Sequence, residues 1–207
     1  MLTALVVSLA LGAAPGAGFG HDLEDLALVE QLNGALLASR SATLTLEDWC
    51  GRHGLAQEPR LIARQILSVR RPASAETLAR LSVRDQAELG YRHVELSCGG
   101  HVLSEADNWY VKARLTAEMN AQLETSQTPF GKVVLPLAPT RRTLSVERLW
   151  SPLPPDFATS EAPPPPAPSR PHILFRHRAV LTAASGQPIA EVEENYTEEA
   201  LAFDRRR

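Results

Sequence analysis

The sequence predicts an α+β domain carrying an antiparallel sheet of about six strands, and three observations lead there. Apolar residues recur at three-to-four spacing early in the chain, period-two runs take over later, and glycine-containing turns separate those runs in pairs. Helices gathered early with hairpins following are incompatible with a βαβ repeat and a parallel sheet. With 207 residues the chain has enough length for one domain with a sizeable core.

The elements follow in chain order. Residues 1–20 hold no charged side chain, and Leu2 to Ala14 is apolar but far shorter than the ~20 residues of a membrane span. Small residues follow it, so 1–20 is expected to be a signal peptide, with the mature chain starting between Ala17 and Asp22 and a single domain over 21–207. On that reading the protein is exported, periplasmic or secreted, with no stable membrane insertion once the leader is removed; without it, the protein is cytoplasmic. Asp22 is placed to cap a helix whose Leu23, Leu26, Val29, Leu32, Leu36 and Leu37 share a face. Thr45 and Asp48 form a start signal for a short second helix that Gly54 stops. Further helices are expected from Ser74 to about Leu81 and from Thr116 to about Leu123.

Alternation predicts strands over 64–70, 91–98, 102–111, 143–150, 173–181 and 188–197. Cys98-Gly99-Gly100-His101 and Ala184-Ser185-Gly186-Gln187 turn two of these pairs into hairpins. Nine of the sixteen prolines crowd into 152–171, which predicts an extended loop interrupting the sheet.

Composition removes several function classes. A net charge of -3 offers no footprint for a phosphate backbone, so nucleic acid is not an expected partner. The six histidines have no metal spacing, the two cysteines form no Cys-x-x-Cys motif, and no glycine-rich phosphate loop or Ser elbow occurs, so neither metal nor cofactor is expected. Cys50 and Cys98 are either disulfide-linked or two buried thiols.

Strand parity singles out two charged residues. In the run Tyr91 to Cys98, Arg92 shares a face with Val94, Leu96 and Cys98, where an unpaired guanidinium costs several kcal/mol and its planar fork suits a carboxylate. In the last strand Glu194 lies with Ala190, Val192 and Tyr196, whereas Glu193 falls on the other face; one bulge would exchange them.

These residues stand in a pattern that resembles the chorismate lyases. Arg92 in an alternating strand, then Gly99-Gly100, then Leu103 to Val111 is similar to that family's central hairpin, which the effector-binding UTRA domains of bacterial regulators share. Thr128-Pro129-Phe130-Gly131 is similar to its Thr-Pro-Leu-Gly loop, and Gly186-Gln187-Pro188 leading to Glu194-Asn195-Tyr196 resembles its closing strand. The resemblance covers about residues 60 to 200. It implies that Arg92 and the backbone amide of Phe130, beside Gly131, hold a ring carboxylate, while Glu194 faces the oxygen-bearing end as the catalytic group. Glu193 stays a rival, because the alignment shifts by one residue relative to the Gly-x-Pro turn. The implied activity is cofactor-independent release of pyruvate from chorismate to give 4-hydroxybenzoate. The alternative is a non-catalytic, exported module binding a small aromatic carboxylate in the UTRA manner, and a third reading gives the main role to the proline-rich loop as an interaction segment.

Overall fold

A computed structural model describes residues 17–159 and 168–203, with side chains from residue 19. Six antiparallel strands form one sheet: β1 Ile62–Gln65, β2 Leu89–Cys98, β3 His101–Val111, β4 Thr140–Arg148, β5 Ile173–Thr182 and β6 Pro188–Thr197, in spatial order β1-β2-β3-β6-β5-β4. Five helices accompany them: α1 Ala17–Ala38, α2 Ala42–Arg52, α3 Ala75–Leu81, α4 Ala117–Thr125 and α5 Phe130–Val133. The expected α+β class and antiparallel sheet are present.

The central hairpin turns on Gly99 and Gly100, whose φ of +59° and +93° favour glycine. A Cβ on Gly99 would also sit 2.7 Å from the Leu55 carbonyl oxygen, so this turn is packed against the end of α2 as well as bent. Beside it, Cys50 of α2 and Cys98 of β2 form a disulfide across a Cα separation of 6.5 Å, which settles the alternative left open by the sequence.

Several boundaries differ from expectation. α1 already runs through Gly18, Gly20 and Asp22, so Asp22 does not cap it; each interior glycine costs only ~1 kcal/mol, against which Val29, Leu32 and Leu36 bury in the core. Leu23 and Leu37 are exposed, making the apolar stripe narrower than the five leucines and one valine implied. α2 begins one turn earlier than expected because Ser41, not Thr45, is its N-cap and accepts from the Leu44 amide. β1 occupies 62–65 instead of 64–70: the chain leaves the sheet in a turn closed by Val69 N–H on Ile66 C=O, and Leu67 points to solvent. β4 also starts earlier, at Thr140. Residues 1–16, most of the expected leader, lie outside the described residues, while 17–20 continue α1. The expected 152–171 loop joins β4 to β5; its first part is a turn at 155–159, and 160–167 lie outside the described residues. Among the described residues no helix is long and apolar enough to cross a membrane.

The two sheet faces carry different chemistry. On one face α1 and α2 pack over Val94, Leu96, Ala106 and Tyr196, and α4 and α5 pack over Tyr110, Leu181 and Val192, giving two adjoining apolar clusters. α3 covers a smaller cluster around Trp109 on the opposite face. Thr77 and Arg80 from α3 reach Glu191, which is fully buried and also receives Arg178.

Candidate active site and ligand cavity

At the junction of the two apolar clusters lies a cavity of about 240 Å³. Its floor is sheet: Val94 and Leu96 from β2, Ala106 and Asn108 from β3, Val192 and Glu194 from β6. The N-terminal turn of α2, residues 41–44, and Phe130 with Gly131 at the start of α5 close over it. Gly131 is needed for this closure, since a Cβ there would lie 2.7 Å from Thr43 Oγ1. The volume falls below the ~300–1,000 Å³ of pockets for drug-sized molecules, so the cavity suits a ligand of about one ring.

Arg92 sits at one end of this floor. Parity places it as expected, on the face of Val94 and Leu96, and it is 1% exposed. Its Nη1 approaches the Thr128 carbonyl at 3.5 Å, while Nε and Nη2 have no hydrogen-bond partner. Burial pushes its pKa below the ordinary arginine value, opposed by the neighbouring Tyr110 hydroxyl. Arg92 stands directly behind the cavity wall: Asn108, its cross-strand partner, lines the cavity, and Thr128 leads into the lining residues Phe130 and Gly131. With two unsatisfied donors and no carboxylate partner among the described residues, this buried guanidinium is electrostatically incomplete.

Glu194 lines the other end, 8% exposed. Arg141 Nη2 donates to its Oε2 at 2.6 Å and the Tyr196 hydroxyl donates to the same oxygen at 3.1 Å. The charge of this carboxylate is compensated by Arg141, a residue that strand alternation did not single out. Burial lowers the affinity of the Arg141 guanidinium for its charge, but the Glu194 carboxylate outweighs it and raises the pKa. Arg141 also donates from Nη1 to Thr143 Oγ1, and its Nε has no partner. Behind it, His177 is fully buried, and burial together with the Arg141 charge lowers its pKa to about 4, so it is neutral near pH 7.

Glu193 does not join this group. It faces the opposite side of the sheet, where Arg71 grips it through Nη1 at 2.7 Å and Nη2 at 3.1 Å. Its expected place beside the ligand is corrected on geometry: β6 runs against β3 without a bulge, Ala106 opposing Glu194 and Asp107 opposing Glu193, so Glu194 faces the cavity and Glu193 faces away from it. Phe130 and Gly131 both line the cavity. For Arg141 the signal was faint, because the strand was expected to begin only at residue 143. For His177 a stronger signal was available and unused, since alternation along β5 puts it on the face of Phe175, Ala179 and Leu181. Among the described residues no group of three metal-ligating side chains occurs.

No family model matches this sequence. Solved structures of similar chain path include PhnF from Mycobacterium smegmatis, 16% identical with a TM-score of 0.48 over 79% of this chain and 66% of that one. Another is the ligand-binding domain of a putative GntR-family transcriptional regulator from Bordetella bronchiseptica, 17% identical with a TM-score of 0.42 over 67% and 83% of the two chains. Against the possible transcriptional regulator YydK from Bacillus subtilis the chain spans 62% of the longer protein, at 16% identity and a TM-score of 0.41 over 71% of this chain. The sequence relationship to the uncharacterized protein y4mC of Sinorhizobium fredii is much nearer, 44% identity over 186 residues that make up 87% of this chain and 78% of that one. With that identity over most of both chains, this protein belongs to the y4mC family.

Proposed function

We propose that the protein binds a small aromatic carboxylate in the cavity between the two apolar clusters. The observation that carries this reading is Arg92, a buried cation with two unused donors behind the cavity wall. A ligand carboxylate reaching it would satisfy those donors, each charge-assisted bond being worth ~1.5–3 kcal/mol. The side-chain amide of Asn108, which has no hydrogen bond among the described residues, offers a further donor at that end. Val94, Leu96, Phe130 and Val192 give the ring an apolar slot, and Glu194 presents Oε1, which accepts no hydrogen bond, to a hydroxyl at the far end.

Catalytic release of pyruvate from chorismate is the second reading, favoured by Arg92 and Glu194 sharing one face of the sheet. Binding takes precedence because both hydrogen-bond partners of Glu194, Arg141 and Tyr196, donate to its carboxylate, which leaves it placed as an acceptor. Isothermal calorimetry with 4-hydroxybenzoate tests the first reading. Binding to the wild type with at least a tenfold loss in Arg92→Ala is expected, and unchanged affinity in a folded Arg92→Ala would place the site elsewhere. Chorismate incubated with the protein and followed for 4-hydroxybenzoate separates the readings, with product formation establishing the lyase.

We also propose export. The disulfide between Cys50 and Cys98 supports it, because such bonds persist in oxidising compartments and are rare in the cytosol. Intact-mass measurement on exported protein should give an N-terminus between Ala17 and Asp22; a cytoplasmic protein retaining Met1 would contradict it.

A further inference from the structure

A line of polar contacts runs from the surface to the cavity through otherwise apolar packing. Arg148 of β4 donates to both carboxylate oxygens of Glu30 on α1, at 2.5 and 2.9 Å. Glu30 Oε2 accepts from Asn33 Nδ2 at 3.1 Å. That contact orients the amide, because only its nitrogen can donate to a carboxylate, and it turns Asn33 Oδ1 toward His177 Nε2 at 2.8 Å. An amide oxygen only accepts, so His177 carries its proton on Nε2 and presents Nδ1 as a lone pair. That lone pair faces Arg141 Nη2 at 3.5 Å, a long contact, and the same Nη2 donates to Glu194 at 2.6 Å. Each partner's role is set by the one before it.

We propose that His177 is a positioning residue for the polar end of the cavity. Its Nδ1, exposed as an acceptor because Asn33 occupies the other nitrogen, holds the Arg141 guanidinium at the angle from which it orients Glu194. Helix α1 thereby contributes to ligand selection without lining the cavity. The inference rests on the carboxylate-binding reading above for its ligand, and it predicts a division of labour. Arg92 sets the affinity for the carboxylate common to every ligand of the class. The His177–Arg141–Glu194 line sets the preference for a hydroxyl across the ring.

The packing of His177 admits a test by shape. In His177→Asn the side-chain oxygen can take the place of Nδ1 and keep an acceptor for Arg141 while the link to Asn33 is lost. In His177→Gln the amide reaches toward Asn33 and the acceptor for Arg141 is lost. Calorimetry on the full chain with 4-hydroxybenzoate and benzoate reads the difference. For His177→Gln we expect a loss of about tenfold for 4-hydroxybenzoate with benzoate unchanged, and for His177→Asn a preference within about twofold of wild type. Parallel loss of both acids in His177→Gln, or an unaltered ratio between them, overturns the proposal. Wild-type protein that binds neither acid would instead defeat the ligand reading. The nitrogen-15 shifts of the His177 ring in ligand-free protein then decide the positioning role alone. A protonated Nε2 with bare Nδ1 that loses this bias in Asn33→Leu supports it, and a protonated Nδ1 or an insensitive ring overturns it.

Discussion

At the scale of single residues, the molecule uses chemically identical side chains for opposite purposes according to which face they occupy. Glu193 and Glu194 are chain neighbours, yet one is clasped by Arg71 as part of a framework of ion pairs and the other lines the cavity. Arg92 and Arg141 differ in the same way, the second compensated by Glu194 and the first having no carboxylate partner among the described residues. That contrast extends the prediction for Arg92. Arg92→Lys keeps the charge but replaces a planar fork by a single ammonium, so it should recover only part of the binding lost in Arg92→Ala. Calorimetry with 4-hydroxybenzoate checks this, and full recovery would mean that charge alone, not the two-pronged geometry, holds the ligand. Arg92 and Glu194 were both legible in the sequence because strand parity is a local property. Arg141 was not, because what matters about it is its meeting with Glu194, 53 residues away, and no periodicity encodes which strands lie side by side.

Among the elements, the hairpins and the starts of α3 and α4, capped by Ser74 and Thr116 as expected, were legible, whereas the starts of α1 and α2 were not. β6 occupies 188–197 as alternation predicted, and Gly99-Gly100 turns where it was expected to. Helix starts were misread where two capping residues competed, as Ser41 and Thr45 did, since either can satisfy an amide and only tertiary packing chooses. The apolar run Ile66, Leu67 and Val69 imitated a strand but belongs to the turn that brings Arg71 over the far face, where its guanidinium meets Asp107 and its carbonyl accepts from Trp109. α2 roofs the cavity and is fastened by Cys50 to β2. A crosslink spanning 48 residues removes unfolded-state freedom worth roughly 4 kcal/mol in the chain-entropy account. Replacing both cysteines by alanine should therefore cost about 2–4 kcal/mol of unfolding free energy in urea. A smaller change would show that the apolar contacts of Leu46 and Trp49 hold α2 by themselves.

For the whole molecule, buried titratable groups set the response to acid. His177 is held near pKa 4 against an ordinary 6.5, facing Arg141, Glu194, Tyr196 and Asn33. Its unfolded form therefore binds a proton that the folded form refuses between about pH 6.5 and 4, so stability falls as pH falls through that window, by up to about 3 kcal/mol in total. His53, whose pKa burial also lowers, acts with the same sign. Burial pushes the Asp107 and Glu191 carboxyls up, but their hydrogen-bond donors together outweigh it and hold both below the usual carboxylate range, so their contribution is lost only at still lower pH. Urea titrations at pH 7.5 and 5 should show the loss, and His177→Gln should flatten it; equal slopes in the two proteins would remove His177 as the cause. The cavity has one more consequence at this scale. It is a seam, with the α1–α2 cluster on one side and the α4–α5 cluster on the other, and a molecule seated there touches both. Whatever binds the folded state alone shifts the folding equilibrium by mass action, about 2.7 kcal/mol at a hundredfold excess over the dissociation constant. The melting temperature of this domain would thus itself report the proposed binding, and heating the protein in the presence of one candidate acid after another turns that proposal into a measurable rank order.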